Sequence, residues 1–178
     1  MINQEKTISR NIVYRGKILN LRVDKVEFPG GKRATREVIE HEPAVGIIPV
    51  TEDREVILVK QYRYAVSGPL LEIPAGIMEK GEEPSDSAIR ELQEEIGYAP
   101  RQLREIGRFF TSPGFSNEIL ILFLAQDLFP SRLEQDEDEF IEVVRYPFSM
   151  LDSAFLNENI RDGKTFAALS WLIANPLN

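Results

Sequence analysis

Gly76–Tyr98, GIMEKGEEPSDSAIRELQEEIGY, reads as a loop running into a short helix. Pro84 suits a first helical position, where its missing N–H costs nothing. Gly97 suits the left-handed residue just past the helix end. Between them Ala88, Ile89, Leu92 and Ile96 recur at helical spacing and predict the buried stripe. On a wheel of about 100° per residue, Glu91 and Glu95 lie roughly 40° apart beside that stripe, with Glu94 nearer the polar face. Like charges at this spacing repel by about 0.2–0.5 kcal/mol even when exposed. Three glutamates near a helix C-terminus also oppose its dipole. Arg90 is the only local positive charge, and its position on the wheel points it away from Glu91 and Glu95. Spacing alone leaves two readings open: a solvated glutamate-rich face, or a site for a hard divalent cation, which takes carboxylate, water and phosphate oxygens.

Gly76, Glu82, and Arg90-Glu91-Leu92-Gln93-Glu94-Glu95-Ile96-Gly97 stand at the spacing of the Nudix box, GX5EX7REUXEEXGU. Every specified position is met except the last, where Tyr98 replaces the usual aliphatic residue. So many fixed positions make the resemblance to the Nudix hydrolases specific. It implies a loop–helix–loop that binds Mg²⁺, with Mn²⁺ as the alternative, and hydrolyses a nucleoside diphosphate linked to another moiety.

Composition narrows the setting. The chain has 178 residues, enough for one domain and a small extension, with 43% hydrophobic and 28% charged residues. A formal net charge of −8 argues against a nucleic-acid backbone as partner. The absence of cysteine excludes disulfides and thiolate metal sites. The start, MINQEKTISR, has no apolar leader, and no apolar run approaches 18 residues. The expectation is a cytoplasmic protein with no membrane partner.

Residues 6–14 and 17–28 carry β-branched, alternating patterns separated by Arg15-Gly16, and residues 32–41 read as a third, more charged strand. Strands are also expected over 44–51, 56–64, 70–73, 103–111, 118–128 and 139–147, and helices over 148–157 and 162–174. The last helix is expected to bury Phe166, Leu169, Trp171, Leu172 and Ile173. The fold class is therefore α/β (α+β): mixed β-sheets sandwiched between helices, after an N-terminal antiparallel β-sheet extension. Residues 1–42 form that extension and residues 43–178 the Nudix hydrolase domain. A three-stranded piece of this size does not bury Ile8, Ile12, Ile18, Leu21, Val23 and Val26 by itself, so it packs on the rest or on a second copy.

Further stretches resemble the ADP-ribose pyrophosphatase branch of the family. They are Arg36-Glu37-Val38-Ile39-Glu40-His41, Lys60-Gln61-Tyr62-Arg63, Leu71-Glu72-Ile73-Pro74-Ala75-Gly76 and Asp136-Glu137-Asp138-Glu139-Phe140-Ile141-Glu142-Val143. The most telling is Thr111-Ser112-Pro113-Gly114-Phe115, because a proline 15 residues past Tyr98 marks this branch. The chain departs from the branch at His41-Glu42-Pro43-Ala44-Val45, where His-Pro-Gly-Ala-Val is usual.

The resemblance implies the following roles. Glu91 and Glu95, with the Ala75 carbonyl, hold the metal, Glu94 is a further ligand or a support behind them, and Glu82 and Arg90 fix the loop and helix. Arg63 contacts phosphate or the terminal ribose. Arg36 and Glu37 bind the adenosine end across a homodimer interface, and Gly114 and Glu118 meet the terminal ribose. Glu139, with Glu137 second, is the carboxylate that activates water, so Glu139 and Glu95 are the expected catalytic residues. Each has a plainer reading as a surface charge or ion pair, and His41, the only histidine, is read as structural. The expected reaction is hydrolysis of ADP-ribose to AMP and ribose 5-phosphate. The alternatives are another nucleoside diphosphate sugar such as GDP-mannose, or a non-catalytic sensor of ADP-ribose.

Overall fold

The computed structural model describes residues 4–135, 140–156 and 160–177. Two units are distinguished: Met1–Pro43 with Phe109–Ile119, and Ala44–Arg108 with Leu120–Asn178.

In the first unit, β1 (Lys6–Ser9) and β2 (Ile12–Arg15) both run antiparallel to β3 (Leu19–Glu27). The sequence pattern predicts one strand over 6–14. It is divided because the pairing slips between Thr7 and Ser9 and again between Ile12 and Tyr14. The Val23 N–H donates to the Asn11 carbonyl at 2.8 Å and carries the pairing across the gap. β4 (Arg33–His41) pairs with β3 from Leu19↔His41 to Glu27↔Arg33. Gly30 and Gly31, at φ +96° and +84°, make the turn between them, a conformation that favours glycine. The Phe109–Ile119 segment is fastened to β4: the Ile39 N–H donates to the Phe115 carbonyl at 2.7 Å, and the Asn117 N–H to the Ile39 carbonyl at 3.2 Å.

In the second unit, β5 (Ala44–Pro49) lies between β8 (Ala75–Ile77) and a parallel β10 (Ile119–Pro130), with β9 (Tyr98–Phe110) beyond. A second sheet has the order β11 (Ile141–Pro147), β6 (Glu55–Arg63), β7 (Gly68–Glu72). The three helices are α1 (Pro84–Glu95), α2 (Leu151–Leu156) and α3 (Gly163–Ala174). Successive strand residues face opposite ways, and the core divides accordingly. Val45, Ile47, Ile57, Val59, Ile121 and Phe123 pack with Ala88, Leu92 and Ile96 of the α1 region. Ile48, Val56, Leu58, Leu122 and Leu124 pack with Leu151, Ala168, Leu169 and Leu172 of α2 and α3. These two cores are the expected sandwich of sheets between helices. Leu92 is fully buried, so Leu92→Ala would cost about 2–5 kcal/mol.

Two helix faces differ from expectation. In α3, Phe166 and Ile173 are exposed and Trp171 only partly covered, while Thr165, Ala168, Leu169 and Leu172 are buried. The long apolar run hides the phase, because every face looks hydrophobic on the wheel. In α1, Ile89 is half-buried, and Glu91 and Glu95 take inward positions beside Ala88 and Leu92.

Candidate active site

The start of the box is a strand as well as a loop. β8 pairs with β5 through Val45↔Gly76 and Gly46↔Ala75, and the Ile47 N–H donates to the Pro74 carbonyl at 2.9 Å. Pro84 opens α1, and Gly97, at φ +75°, closes it just past Ile96. This frame sets the helix's inward carboxylates against the β8 backbone. Glu91 is 8% and Glu95 3% exposed. The Ala75 N–H donates to Glu95 Oε2 at 3.2 Å. A Cβ on Gly76 would overlap the Glu91 carboxylate. The glycine is thus the cradle for that side chain, and no other residue type fits there unless the carboxylate moves.

Arg90 departs from the sequence expectation. Its guanidinium donates to Glu82 at 3.0 and 3.1 Å, to Glu91 Oε1 at 2.7 Å and to Glu94 Oε2 at 2.9 Å. It also reaches Ser87 Oγ at 3.2 Å. The wheel fixes where a side chain leaves the helix, and a long arginine then folds back across its neighbours. The hydrogen bond from Arg90 chiefly, with the Glu79 N–H at 2.9 Å also helping, holds the Glu82 carboxyl down at about 2. The Glu82 hydrogen bond in turn raises the Arg90 pKa, and the neighbouring Glu91 adds to the effect.

The donors here suit a hard divalent cation: two buried carboxylates one helical turn apart, beside the main chain of Ala75–Gly76. Among the described residues no group of three acidic or imidazole side chains is placed to hold a metal ion by itself. A cation held here would take part of its shell from these carboxylates and the rest from water and phosphate oxygens. Glu94, expected as a further ligand, lies on Arg90.

Arg63, at the end of β6, forms a two-pronged pair with Glu72, Nε to Oε1 and Nη2 to Oε2, both at 2.7 Å. Lys164 also bonds Glu72 Oε2. Glu72 is 1% exposed. Burial alone would raise its pKa, but the Arg63 hydrogen bonds and the Lys164 charge outweigh that and lower it. Glu72 and Lys164 are not among the site residues that the sequence predicts. The signal was a glutamate in the otherwise apolar run Leu70–Ile73. Lys60 and Tyr62 alternate with Gln61 and Arg63 along β6, so they face the other way. With Gln61, Pro69, Phe140 and Glu142 they line a groove of about 480 Å³ that includes neither Arg63 nor any of the box carboxylates.

The remaining predicted residues lie in the first unit. Arg36 pairs with Glu5 at 2.6 and 3.0 Å and stands 5.5 Å over the Phe28 ring. Glu37 is its neighbour on β4 and faces the opposite side, so one ligand lying on one face of that strand meets one of the two. Glu118 accepts from the Thr111 hydroxyl and lies 3.7 Å from His41 Nδ1. The His41 ring Nδ1–H donates to the Glu42 carbonyl at 2.6 Å and its main-chain N–H to Asn117 Oδ1 at 2.9 Å. Gly114 has open space around it, so nothing among the described residues demands glycine there. Glu137 and Glu139 lie outside the described residues.

A family profile described as the NUDIX domain matches residues 40–169, and one described as the nucleoside diphosphate sugar hydrolase N-terminal domain matches residues 5–39. The chain belongs to the Nudix family. It is 42% identical over 171 residues to the ADP-ribose pyrophosphatase of Bacillus subtilis (strain 168), covering 95% of this chain and 92% of that one. It is 38% identical over 173 residues to the methanol dehydrogenase activator of Bacillus methanolicus, covering 95% and 92%. A crystal structure of an ADP compounds hydrolase superposes with a TM-score of 0.88 over 99% of this chain and 98% of that one, at 24% identity. That likeness bears on the fold alone, and the Nudix domain within it is residues 40–169. Nudix hydrolases generally require a divalent metal, in keeping with the buried carboxylates of α1. Among the described residues no helix is long and apolar enough to cross a membrane.

Proposed function

We propose that this Nudix hydrolase cleaves the pyrophosphate bond of ADP-ribose, giving AMP and ribose 5-phosphate, with Mg²⁺ as its metal and Mn²⁺ as a substitute. The observation that carries the proposal is the pair of buried carboxylates, Glu91 and Glu95, cradled by Gly76 and Ala75. Kinship with the B. subtilis ADP-ribose pyrophosphatase across nearly the whole chain supports the substrate.

When bound, the cation neutralises phosphate charge and lowers the pKa of a coordinated water. Glu91, Glu95 and the Ala75 carbonyl would hold it, with Glu94 in support through Arg90. Arg63 grips the diphosphate. Glu139 takes the proton of the attacking water. One P–O bond forms to the water oxygen, and the bridging P–O bond breaks, leaving its electron pair on the departing phosphate. Of the β4 pair, Arg36 serves the adenosine end, and Gly114 and Glu118 serve the terminal ribose.

A homodimer built on residues 1–42 is part of this proposal. Ile8, Ile12, Val13, Tyr14 and Ile18 are exposed in the first unit, an apolar surface that a second copy would cover. Light scattering at micromolar concentration tests it, and a fully active monomer would refute it. A dimer that keeps its activity after Arg36→Ala would refute only a shared adenosine site. The cytoplasm is the proposed location, where nucleotide sugars are met. The net charge of −8 argues against the backbone of a nucleic acid as a partner.

A panel of nucleotide sugars with Mg²⁺ and a coupled phosphatase tests the reaction, since the phosphatase acts on the monoester products. Preference for ADP-ribose supports the proposal. Preference for GDP-mannose or another sugar replaces the substrate, and inactivity on all of them replaces the enzyme with a sensor.

A further inference from the structure

Glu72 is the least exposed of the buried acids among the described residues, and it lies outside the box. Its carboxylate is gripped from two sides, by Arg63 of β6 and by Lys164 of the first turn of α3. We propose that Lys164 is a positioning residue for Arg63, holding Glu72 so that the arginine keeps a fixed edge and an available charge for the diphosphate. This rests on the reading of Arg63 as the diphosphate contact.

Arg63 engages Glu72 through Nε and Nη2. A guanidinium carries five N–H donors in a rigid fork, so the Nη1 edge remains for a ligand. The side chain is 41% exposed, enough for that edge to be reached. Its direction is set by the carboxylate plane it grips. That plane is fixed in turn by Lys164, which bonds the same Oε2 that Arg63 Nη2 uses.

Lys164 is itself held. Its Nζ lies 3.0 Å from Asp162 Oδ2, and its side chain is 15% exposed. Asp162 caps α3 by accepting from the Thr165 N–H at 2.9 Å and the Thr165 hydroxyl at 2.6 Å. The Thr165 hydroxyl accepts from the Ile73 N–H at 2.9 Å. The first turn of α3 is thereby sewn to the residue beside Glu72, two residues before the Ala75 N–H that meets Glu95. Lys164 also shares the negative charge of Glu72. Without it Arg63 would be the one cation on a buried carboxylate, and less of its charge would be offered to phosphate.

Steady-state kinetics on ADP-ribose with Mg²⁺ test the proposal. Lys164→Gln should raise KM about tenfold while kcat stays within about threefold. Lys164→Arg, which keeps the charge and can reach Glu72, should recover most of the KM. In an Arg63→Ala background Lys164→Gln should add nothing to KM, because the group it positions is gone. If Lys164→Gln does not fold, Lys164→Met is used with the same expectations. A merely structural lysine would lower the melting temperature and kcat by the same factor in both backgrounds and leave KM alone, which would overturn the proposal. If Arg63→Ala raises KM but Lys164→Gln does not, the positioning role alone fails. If Arg63→Ala leaves KM unchanged, the reading of Arg63 fails and this inference falls with it.

Discussion

Two charged clusters in the second unit are built from the same kinds of side chain and sum differently. Around Arg90, the carboxylates of Glu82, Glu91 and Glu94 converge on one guanidinium. Around Glu72, two cations, Arg63 and Lys164, meet two anions, Glu72 and Asp162. The second cluster is balanced within the chain and sews a helix to a strand. The first holds three anions to one cation, an arrangement that a further cation would relieve. The surplus of anions suits a further cation, whereas the matched cluster holds Arg63 against Glu72 and leaves one arginine edge for the phosphate assigned to it.

The comparison can be broken most forcefully at Arg90. Arg90→Met removes the guanidinium that pairs with three carboxylates and should cost about 3–5 kcal/mol of stability in the presence of a chelator. Mg²⁺ should restore more of that loss than it adds to the parent, as thermal melts with and without the ion would show. Lys164→Met should show no such extra rescue. Equal rescue of both variants would erase the distinction between the clusters.

Gly76→Ala asks whether the cradle matters to the chemistry. A methyl group there must displace the Glu91 carboxylate, and turnover should fall about a hundredfold. Activity within a few-fold of the parent would mean that the position of this carboxylate is not demanding.

Thr165→Val tests the balanced cluster as a scaffold. It leaves the Ile73 N–H without its acceptor in a buried place and should cost about 1–3 kcal/mol, read by denaturant unfolding. The Mg²⁺ dependence of activity should not change.

The smallest expected effect is on the acid limb of stability. The folded pKa of Glu82 is about 2, below its ordinary value of 4.5. The unfolded chain therefore takes up this proton first. The stabilisation is present in full above about pH 4.5 and is lost as pH falls toward 2. Glu82→Gln should flatten that part of a stability–pH curve, and an unchanged curve would contradict the Arg90 pairing.

Much of this was legible in the sequence, for physical reasons that can be named. The ends of α1 were written in Pro84 and Gly97, residues whose backbone preferences act locally. The sheets and their flanking helices followed from apolar periodicity. What could not be read depended on where long side chains end. Arg90 leaves the helix one position from Glu91 and still returns to it. Glu72 looked like one more residue of a short strand, and its partner Lys164 is 92 residues away. In α3 the apolar residues outnumber the places the core offers, so burial was decided by packing.

The central claim, that buried glutamates of α1 hold a divalent cation for cleavage of ADP-ribose, is tested most directly by Glu95→Gln assayed across a Mg²⁺ series. The amide can still accept from the Ala75 N–H, so the charge is removed while the shape is kept. The account predicts a native-like melt and turnover lower by orders of magnitude at every Mg²⁺ concentration. Mg²⁺-dependent turnover within a few-fold of the parent would contradict it.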